Sequence, residues 1–219
     1  NYDYSSGIKK STFPEFFLSY GKFWTSDIKL PIKKENIIEI GFPYLNEKIS
    51  NFQNLSKKEN IFLIISQPNI SKRLIKFSLE LREKFKDETR ILYKPHPTEI
   101  FNDDFNYFNE LEKNNIELLK DYKNDLYELL QKSKWVIGVS STVLYEALAF
   151  KCQVFILKET SYEKLLNLIN LNLVYLVKST EEIKNLIKKN IEVKSNNLFF
   201  NDNNKKIKEL FYKPNIKKN

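Results

Sequence analysis

The sequence predicts the α/β class, a Rossmann-like parallel sheet with helices on both faces, and three observations carry that prediction. Short apolar runs recur along the chain: Ile61–Ile65, Ile91–Tyr93, Ile116–Leu119, Trp135–Val139, Gln153–Leu157 and Leu173–Leu176. The first of them, IFLII, is unbroken, as a strand buried on both faces requires. Between the runs lie stretches that read as helices, and strands alternating with helices over most of a chain make a parallel sheet. Polar or proline-bearing turns follow three of the runs: Ser66-Gln67-Pro68, Lys94-Pro95-His96-Pro97 and Ser140-Ser141-Thr142.

Before the regular pattern begins, the opening residues do not look like the start of a domain. Phe16–Ser19 predicts a strand, Gly21–Ile28 a short helix or turn, and Pro31–Asn36 a polar, proline-marked connection. Ile37–Ile40 predicts a strand that ends at Gly41-Phe42-Pro43, and the polar Lys48–Asn60 reads as a linker. After the 61–65 strand, Leu74, Phe77, Leu81 and Phe85 return at helical spacing. The 91–93 strand runs into the KPHP loop, then a polar helix-like stretch, Phe105–Glu112, then the 116–119 strand. Asp125–Lys132 predicts a short helix with Asp125 at or near its N-cap, where a carboxylate accepts from free first-turn amides. The 135–139 strand leads through Ser140-Ser141-Thr142 into a helix reaching Phe150. Strand 153–157, helix Tyr162–Asn170 and strand 173–176 follow. In Thr180–Lys189, Ile183, Leu186 and Ile187 share a face, Thr180 is the expected cap, and Glu181 and Glu182 complement the helix dipole. Ser195–Asn204 reads as a largely polar loop, Lys205–Tyr212 as a last helix and Lys213–Asn219 as a frayed tail. The expected organisation is the end of a preceding domain and a crossing segment over 1–45, a linker over 46–57, the Rossmann-like domain over 58–212, and a tail over 213–219.

With 219 residues, 42% of them apolar, the chain can bury a large core and is not disordered by composition. No run approaches the roughly 18 apolar residues of a spanning helix, and no signal-peptide pattern opens the chain. The single cysteine, Cys152, excludes an internal disulfide framework and suits a reducing cytoplasm. One Cys with one His also excludes the common zinc sites. Methionine is absent even at position 1, which is read as an opening inside a longer polypeptide. Net charge is +8, but lysines alternate with acidic residues, as in Glu80–Lys86 and Glu181–Lys189. That is the pattern of a solvated face rather than a nucleic-acid stripe. The excess suits a phosphate-rich substrate, or peripheral contact with the anionic cytoplasmic face of an inner membrane. Heavy use of Lys, Asn, Ile, Phe and Tyr resembles the bias of a low-GC genome and accounts for much of the basicity.

The stretch ILYKPHPTE, Ile91–Glu99, carries the only histidine. Pro95 and Pro97 fix their own φ and push Lys94 and His96 toward extended geometry. A cation and an imidazole held just past the carboxyl end of a strand suit an anionic ligand, a phosphate above all. At Gly138-Val139-Ser140-Ser141-Thr142 a buried strand turns into a helix whose first amides lack intrahelical partners. The dipole favours negative charge there and the hydroxyls add donors. Glu146, one turn on, is placed to accept from ribose hydroxyls. Each constellation has a plainer reading: a stiff surface loop for the first, ordinary Ser/Thr capping for the second. Both face one sheet edge, and together they argue for a phosphate-bearing nucleotide lying across it. Ser66-Gln67 is a third candidate on that edge, equally readable as a plain βα turn, and Lys158 follows the fifth strand within reach of a phosphate. Only four glycines exist, with no Gly-x-Gly-x-x-Gly, Walker A or Gly-x-Ser-x-Gly pattern. That argues against a dinucleotide cofactor, a P-loop and a nucleophilic Ser140.

The pairing of Lys94-Pro95-His96-Pro97 with Ser140-Ser141-Thr142 and Glu146-Ala147 resembles bacterial GT-B glycosyltransferases of surface and capsular polysaccharide synthesis. In particular it is similar to the sialyltransferase and polysialyltransferase group, with its HP and Ser-Ser/Thr motifs. CDP-glycerol glycerophosphotransferases and capsule Kdo transferases share much the same pair. The resemblance covers roughly residues 15–190, with the two motifs as its sharp points. It implies the donor-nucleotide half of a GT-B fold, binding a CMP- or CDP-activated donor. It also implies that His96 contacts a donor phosphate with Lys94 behind it and Pro97 completing the motif. Ser140, Ser141 and Thr142 would hold the phosphate or cytidine, and Glu146 the ribose. Gly41-Phe42-Pro43-Tyr44 resembles the segment where such enzymes cross between domains. The sialyltransferase group's acidic Asp/Glu-Asp/Glu-Gly motif, which supplies the general base, has no counterpart: Asp103-Asp104 is followed by Phe105. The base and the glycan-acceptor site are therefore expected in a preceding half outside this sequence, without which the chain would not turn over.

The chemistry expected from this resemblance is transfer of a sugar, or of glycerol phosphate, from a cytidine nucleotide to a glycan hydroxyl, with no cofactor and no metal. Negative charge grows on the leaving phosphate, and Lys94, His96 and the Ser140–Thr142 amides would stabilise it. A protonated His96 would also donate a proton to it. Rival readings are a UDP-sugar transferase or nucleotide-sugar epimerase, marked by a preference for UDP, and a non-catalytic nucleotide- or glycan-binding module. A nucleic-acid binder is disfavoured because no basic stripe with interleaved aromatics exists.

Overall fold

The computed structural model describes residues 14–25, 29–52, 57–100, 106–120, 125–189 and 209. They fall into two compact units, one holding the described residues up to Ser50 together with Glu209, the other those from Asn51 to Lys189. In the first, β1 (Phe17–Ser19) pairs in parallel with β2 (Ile37–Glu39), and the Ile40 amide donates to the Ser19 carbonyl at 2.8 Å just beyond the last pair. The helix or turn expected over 21–28 is a single 3-10 turn, Lys22–Trp24, with 26–28 outside the described residues. Gly41 takes φ 75°, a positive φ that favours glycine, and so turns the chain into α1 (Pro43–Phe52). Proline suits that first helical position because its missing N–H had no partner to lose. The helix α1 occupies the first part of the stretch that reads as a polar linker. Leu45 is its one buried residue, so its sequence carries almost no apolar period.

The second unit holds, in chain order, β3 (Glu59–Ile65), α2 (Ser71–Phe85), β4 (Arg90–Lys94), α3 (Pro97–Ile100), α4 (Asn106–Lys113) and β5 (Glu117–Leu118). Then come α5 (Leu126–Lys132), β6 (Ser133–Gly138), α6 (Val143–Ala149), β7 (Gln153–Leu157), α7 (Leu166–Asn170), β8 (Tyr175–Val177) and α8 (Thr180–Lys188). The six strands form one parallel sheet in the order β5-β4-β3-β6-β7-β8. Starting at β3 the chain fills one side of the sheet, then returns to lay β6 against the other side of β3. The direction of winding thus reverses between β3 and β6, a topological switch point.

The core follows from strand alternation. Phe62, Ile64, Ile91, Tyr93, Trp135, Ile137, Phe155 and Leu157 join Leu74, Phe77 and Leu81 of α2, Leu111 of α4 and Ile183 of α8 in one buried cluster. The alternate residues Leu63, Leu92, Val136, Val154 and Ile156 are equally buried, and being one residue out of phase they point the other way, where α5 and α6 pack. Phe62 stacks on Trp135 at 4.6 Å between centroids and meets Phe85 at 4.9 Å. Each large side chain so enclosed contributes about 1.5–3 kcal/mol of burial free energy.

Local chemistry sets the element ends. Asp125 caps α5 as expected, its Oδ1 accepting from the Tyr127 amide at 2.9 Å. The cap of α8 is Ser179 rather than Thr180: the Glu182 amide donates to Ser179 Oγ at 3.3 Å, and Thr180 is already helical and buried. The 162–170 helix is a 3-10 turn, Tyr162–Leu165, followed by α7, and the last strand begins two residues later, and ends one later, than its apolar run suggests. With few glycines available, α4, α6 and α7 end on left-handed Asn115, Lys151 and Asn172. Each is closed by the bond characteristic of a Schellman end, from Ile116 to Leu111, Cys152 to Ala147 and Leu173 to Leu168. The expected 195–204 loop, 205–212 helix and 213–219 tail lie outside the described residues, Glu209 apart, as do Asp103 and Asp104.

Candidate functional site

The sheet order places the carboxyl ends of β4, β3, β6 and β7 side by side, so the loops after them share one edge. The loop after β4 is built on a buried carboxylate. His96 precedes α3, which has Pro97 first and Glu99 third, and Glu99 Oε2 reaches back to accept the His96 amide at 2.5 Å. The His96 ring answers in kind, with the Thr98 amide donating to its Nδ1 at 3.3 Å and Thr98 Oγ1 lying 2.8 Å from the same nitrogen. This is a capping box with histidine in the place of Ser or Thr. Glu99 is 7% exposed, and its Oε1 accepts from Ser66 Oγ at 2.9 Å. Since the Ser66 proton goes to Glu99, the 2.7 Å contact between Ser66 Oγ and the Tyr93 hydroxyl has Tyr93 as donor. Burial pushes the Tyr93 phenol well above its ordinary range, so it keeps that proton.

The loops after β3 and β6 are tied across the switch point. The Ser140 amide donates to Gln67 Oε1 at 3.0 Å, and Gln67 Nε2 donates to Ser140 Oγ at 3.0 Å. Ser141 supplies the hydroxyl at the start of α6: the Val143 amide donates to its Oγ at 3.3 Å, while exposed Thr142, at the N-cap position, makes no side-chain cap bond. The Ser140 and Val143 amides therefore have partners in the free chain. Gly138 lets α6 approach closely, since a Cβ there would lie 3.1 Å from Leu144 Cδ2. Glu146 is half-buried; burial raises its carboxyl, opposed by a hydrogen bond from Tyr127, and its Oε2 is buried with no hydrogen-bond partner among the described residues.

A continuous hydrogen-bonded series thus runs from His96 through Glu99 to Ser66, whose neighbour Gln67 reaches Ser140. Lys94, at the end of β4, is half-buried, and desolvation lowers its pKa. Among the described residues no carboxylate pairs with it. His96 stands exposed on this edge, Pro97 starts α3, and Ser66 lies beneath the loop rather than on it, 3% exposed. Lys158 follows β7 with its Nζ 5.8 Å from the centre of the Tyr162 ring. Glu99, Tyr93 and Thr98 escape the sequence reading. The signal for Glu99 is there, a Glu three residues after a capping position.

A cavity of about 520 Å³ opens on the same edge, lined by Pro68, Ile70, Arg73, Glu99, Phe108 and Glu159 among others. Arg73 Nε and Glu159 Oε1 close one side at 2.7 Å. The cavity shares Glu99 with the loop network, but neither His96 nor Ser140 lines it. Among the described residues no three of His, Cys, Asp and Glu gather as metal ligands, and no helix is long and apolar enough to cross a membrane.

No protein-family model matches the chain, and no curated protein matches it. Solved structures do. The UDP-GlcNAc 2-epimerase of Methanocaldococcus jannaschii, in complex with UDP-GlcNAc and UDP, superposes with a TM-score of 0.61 at 18% identity, over 83% of this chain and 56% of the epimerase. The Neisseria meningitidis UDP-GlcNAc 2-epimerase, bound to UDP-GlcNAc, gives 0.61 at 16% identity, over 80% and 54%. The wall teichoic acid polymerase TagF gives 0.57 at 18% identity, over 90% and 56%. The chain spans about half the length of these neighbours. At such identities the likeness is one of fold: this is an α/β protein with a parallel sheet flanked by helices, and its structural neighbours are GT-B-type enzymes.

Proposed function

We propose that this chain is the nucleotide-donor-binding half of a GT-B-type glycosyltransferase, seating the phosphate of a cytidine nucleotide, a CMP-sugar foremost, against the loops after β4, β3 and β6. The carrying observation is the Gln67–Ser140 bridge at the switch point, linked through Ser66 and Glu99 to His96. Ligands of open α/β sheets bind at that place. Two features of the free chain fit an absent anion and its ribose. Among the described residues, Lys94 is partly desolvated without a counter-charge, and Glu146 Oε2 is an acceptor without a donor. A phosphate beside Lys94 would restore its electrostatic balance, and a ribose hydroxyl would fill the place at Glu146.

In the reaction, charge accumulates on the leaving phosphate. Lys94 and His96 stabilise that charge from positions fixed before the ligand arrives, so little reorganisation is needed. The acceptor, a surface glycan, and its general base belong to the remainder of the enzyme. The basic surface suits peripheral contact with an anionic membrane on the cytoplasmic side. A second reading keeps the fold and changes the nucleotide. Two neighbours bind UDP-GlcNAc, which favours a UDP-sugar transferase or epimerase, whereas a TagF structure prepared with a CDPG soak favours glycerol phosphate transfer.

The test is titration calorimetry of the purified chain with CMP, CDP, UMP and UDP, with His96→Ala as control. CMP or CDP preferred, and lost in His96→Ala, supports the proposal. Preference for UDP moves the donor class, and no heat with any of the four refutes a nucleotide site.

A further inference from the structure

We propose that Thr98 and Glu99 fix His96 as the neutral tautomer with its proton on Nε2, so that His96 meets its ligand as a hydrogen-bond donor and not as a base. Glu99 is thereby a positioning residue. The ligand half of this inference rests on the reading of the site given above; the tautomer rests on the chain's own bonds. The Thr98 amide hydrogen points at Nδ1, and a ring nitrogen that accepts an N–H cannot carry a proton. Thr98 Oγ1, 2.8 Å from the same nitrogen, then also donates to it. The proton of the neutral ring is left on Nε2, on an exposed side chain for which no described residue offers Nε2 an acceptor.

Glu99 holds this arrangement from below. One oxygen takes the His96 amide and the other the Ser66 hydroxyl, so the backbone of His96 is referred to the ends of both β4 and β3. The two prolines on either side remove the remaining freedom. A donor on Nε2 selects an oxyanion such as a phosphoryl oxygen. It also removes His96 from the role of general base, since a base needs Nε2 bare.

His96 is the only histidine, so the ring nitrogens of a 15N-labelled sample report on it without assignment. In the ligand-free chain at mildly alkaline pH, Nε2 should appear protonated and Nδ1 bare. Glu99→Ala should shift the ring toward a tautomer mixture and weaken CMP binding about tenfold. Glu99→Gln should rescue both, because its amide can still accept the His96 N–H and serve Ser66. A purely structural role for Glu99 would lower the melting temperature of Glu99→Ala and leave the tautomer alone. If Glu99→Ala does not fold, Thr98→Val at an exposed position removes one donor to Nδ1 and should weaken the bias by itself. A protonated Nδ1 or an even mixture in the parent overturns the proposal, as does a parent-like spectrum and CMP affinity in folded Glu99→Ala. Should no nucleotide bind the parent, the donor-half reading fails, while the ligand-free spectrum still decides the tautomer.

Discussion

Replacing Gln67 with Glu separates what the bridge to Ser140 does for the fold from what it does for a ligand. The two side chains have the same size, so the new carboxylate can accept both Ser140 donors, the amide now 3.0 Å and the hydroxyl 3.2 Å from Gln67 Oε1. Lost is the single bond in which Nε2 donates to Ser140 Oγ, a net contribution of about 0.5–1.5 kcal/mol. Acceptance by a charged oxygen returns roughly as much. The melting temperature should therefore stay close to that of the parent. The added charge acts differently. Two unit charges 4 Å apart repel by about 4 kcal/mol at an effective dielectric constant of ~20, and by about 2 kcal/mol at twice the distance. A phosphate seated over Ser140 falls in that range, so the Kd for CMP should rise at least about 30-fold. Calorimetry beside a thermal melt reads both quantities on one sample, and added salt should recover part of the lost affinity. A Gln67→Glu chain that melts normally and binds CMP like the parent would remove the ligand from Ser140 and refute the reasoning.

Further expectations follow the same logic. Lys94 has its pKa lowered from 10.5 by burial, so its contribution to stability is complete above about pH 10.5 and is lost as pH falls through the folded value; Lys94→Met should stabilise the free chain slightly while weakening CMP binding, seen by melting and calorimetry together. Glu146 has its pKa raised above 4.5, so its contribution is complete below about pH 4.5 and is lost as pH rises through the folded value. Glu146→Gln should thus raise the neutral-pH stability by less than about 1 kcal/mol, an advantage that fades in acid, as melts across pH will read. Lys58 Nζ donates to the Leu130 and Ser133 carbonyls at 2.6 and 2.9 Å and touches Cys152 Sγ at 3.2 Å; Lys58→Met should cost about 1–3 kcal/mol in a urea titration. Lys151→Gly and Asn172→Gly relieve left-handed backbone and should each add about 0.5–1 kcal/mol by the same titration, whereas loss of stability would mean their side chains matter more than their φ.

Much of the sheet is legible in the sequence because its central strands are enclosed on both sides. IFLII, WVIGV and QVFIL admit few other readings, and Asp125 before an apolar period marks a helix start by chemistry alone. Legibility fails where burial is thin or partners are remote. The helix α1 hides because Leu45 is its one buried residue. Ser179 and Thr180 offer the same hydroxyl one residue apart, and only the path of the backbone chooses between them. In the candidate site, His96, Gln67 and Ser140 stand out as polar residues just past buried strands. Glu99 does not, because in Pro97-Thr98-Glu99-Ile100 it looks like an ordinary charge on a helix surface. Its buried partner is Ser66, 33 residues earlier, just past the end of a strand whose place beside β4 local pattern cannot specify. The strand order that lays β6 against β3 is likewise a property of the whole sheet.

That order bears on how the chain comes into being. Phe62 meets Ile91 after a short closure, but its other neighbour is Trp135, and the Gln67–Ser140 bridge joins residues 73 apart. Until residues 133–138 arrive, one edge of β3 presents an open apolar ladder to any strand nearby, the exposure that invites mispairing. Closure of that long loop also comes with an entropic cost that grows with length. A ligand held between the two loops recognises only the finished sheet, and at 100 times its Kd it would stabilise that state by about 2.7 kcal/mol. The junction that assembles the site is therefore the point at which an emerging chain is most vulnerable and at which a bound nucleotide would protect it most.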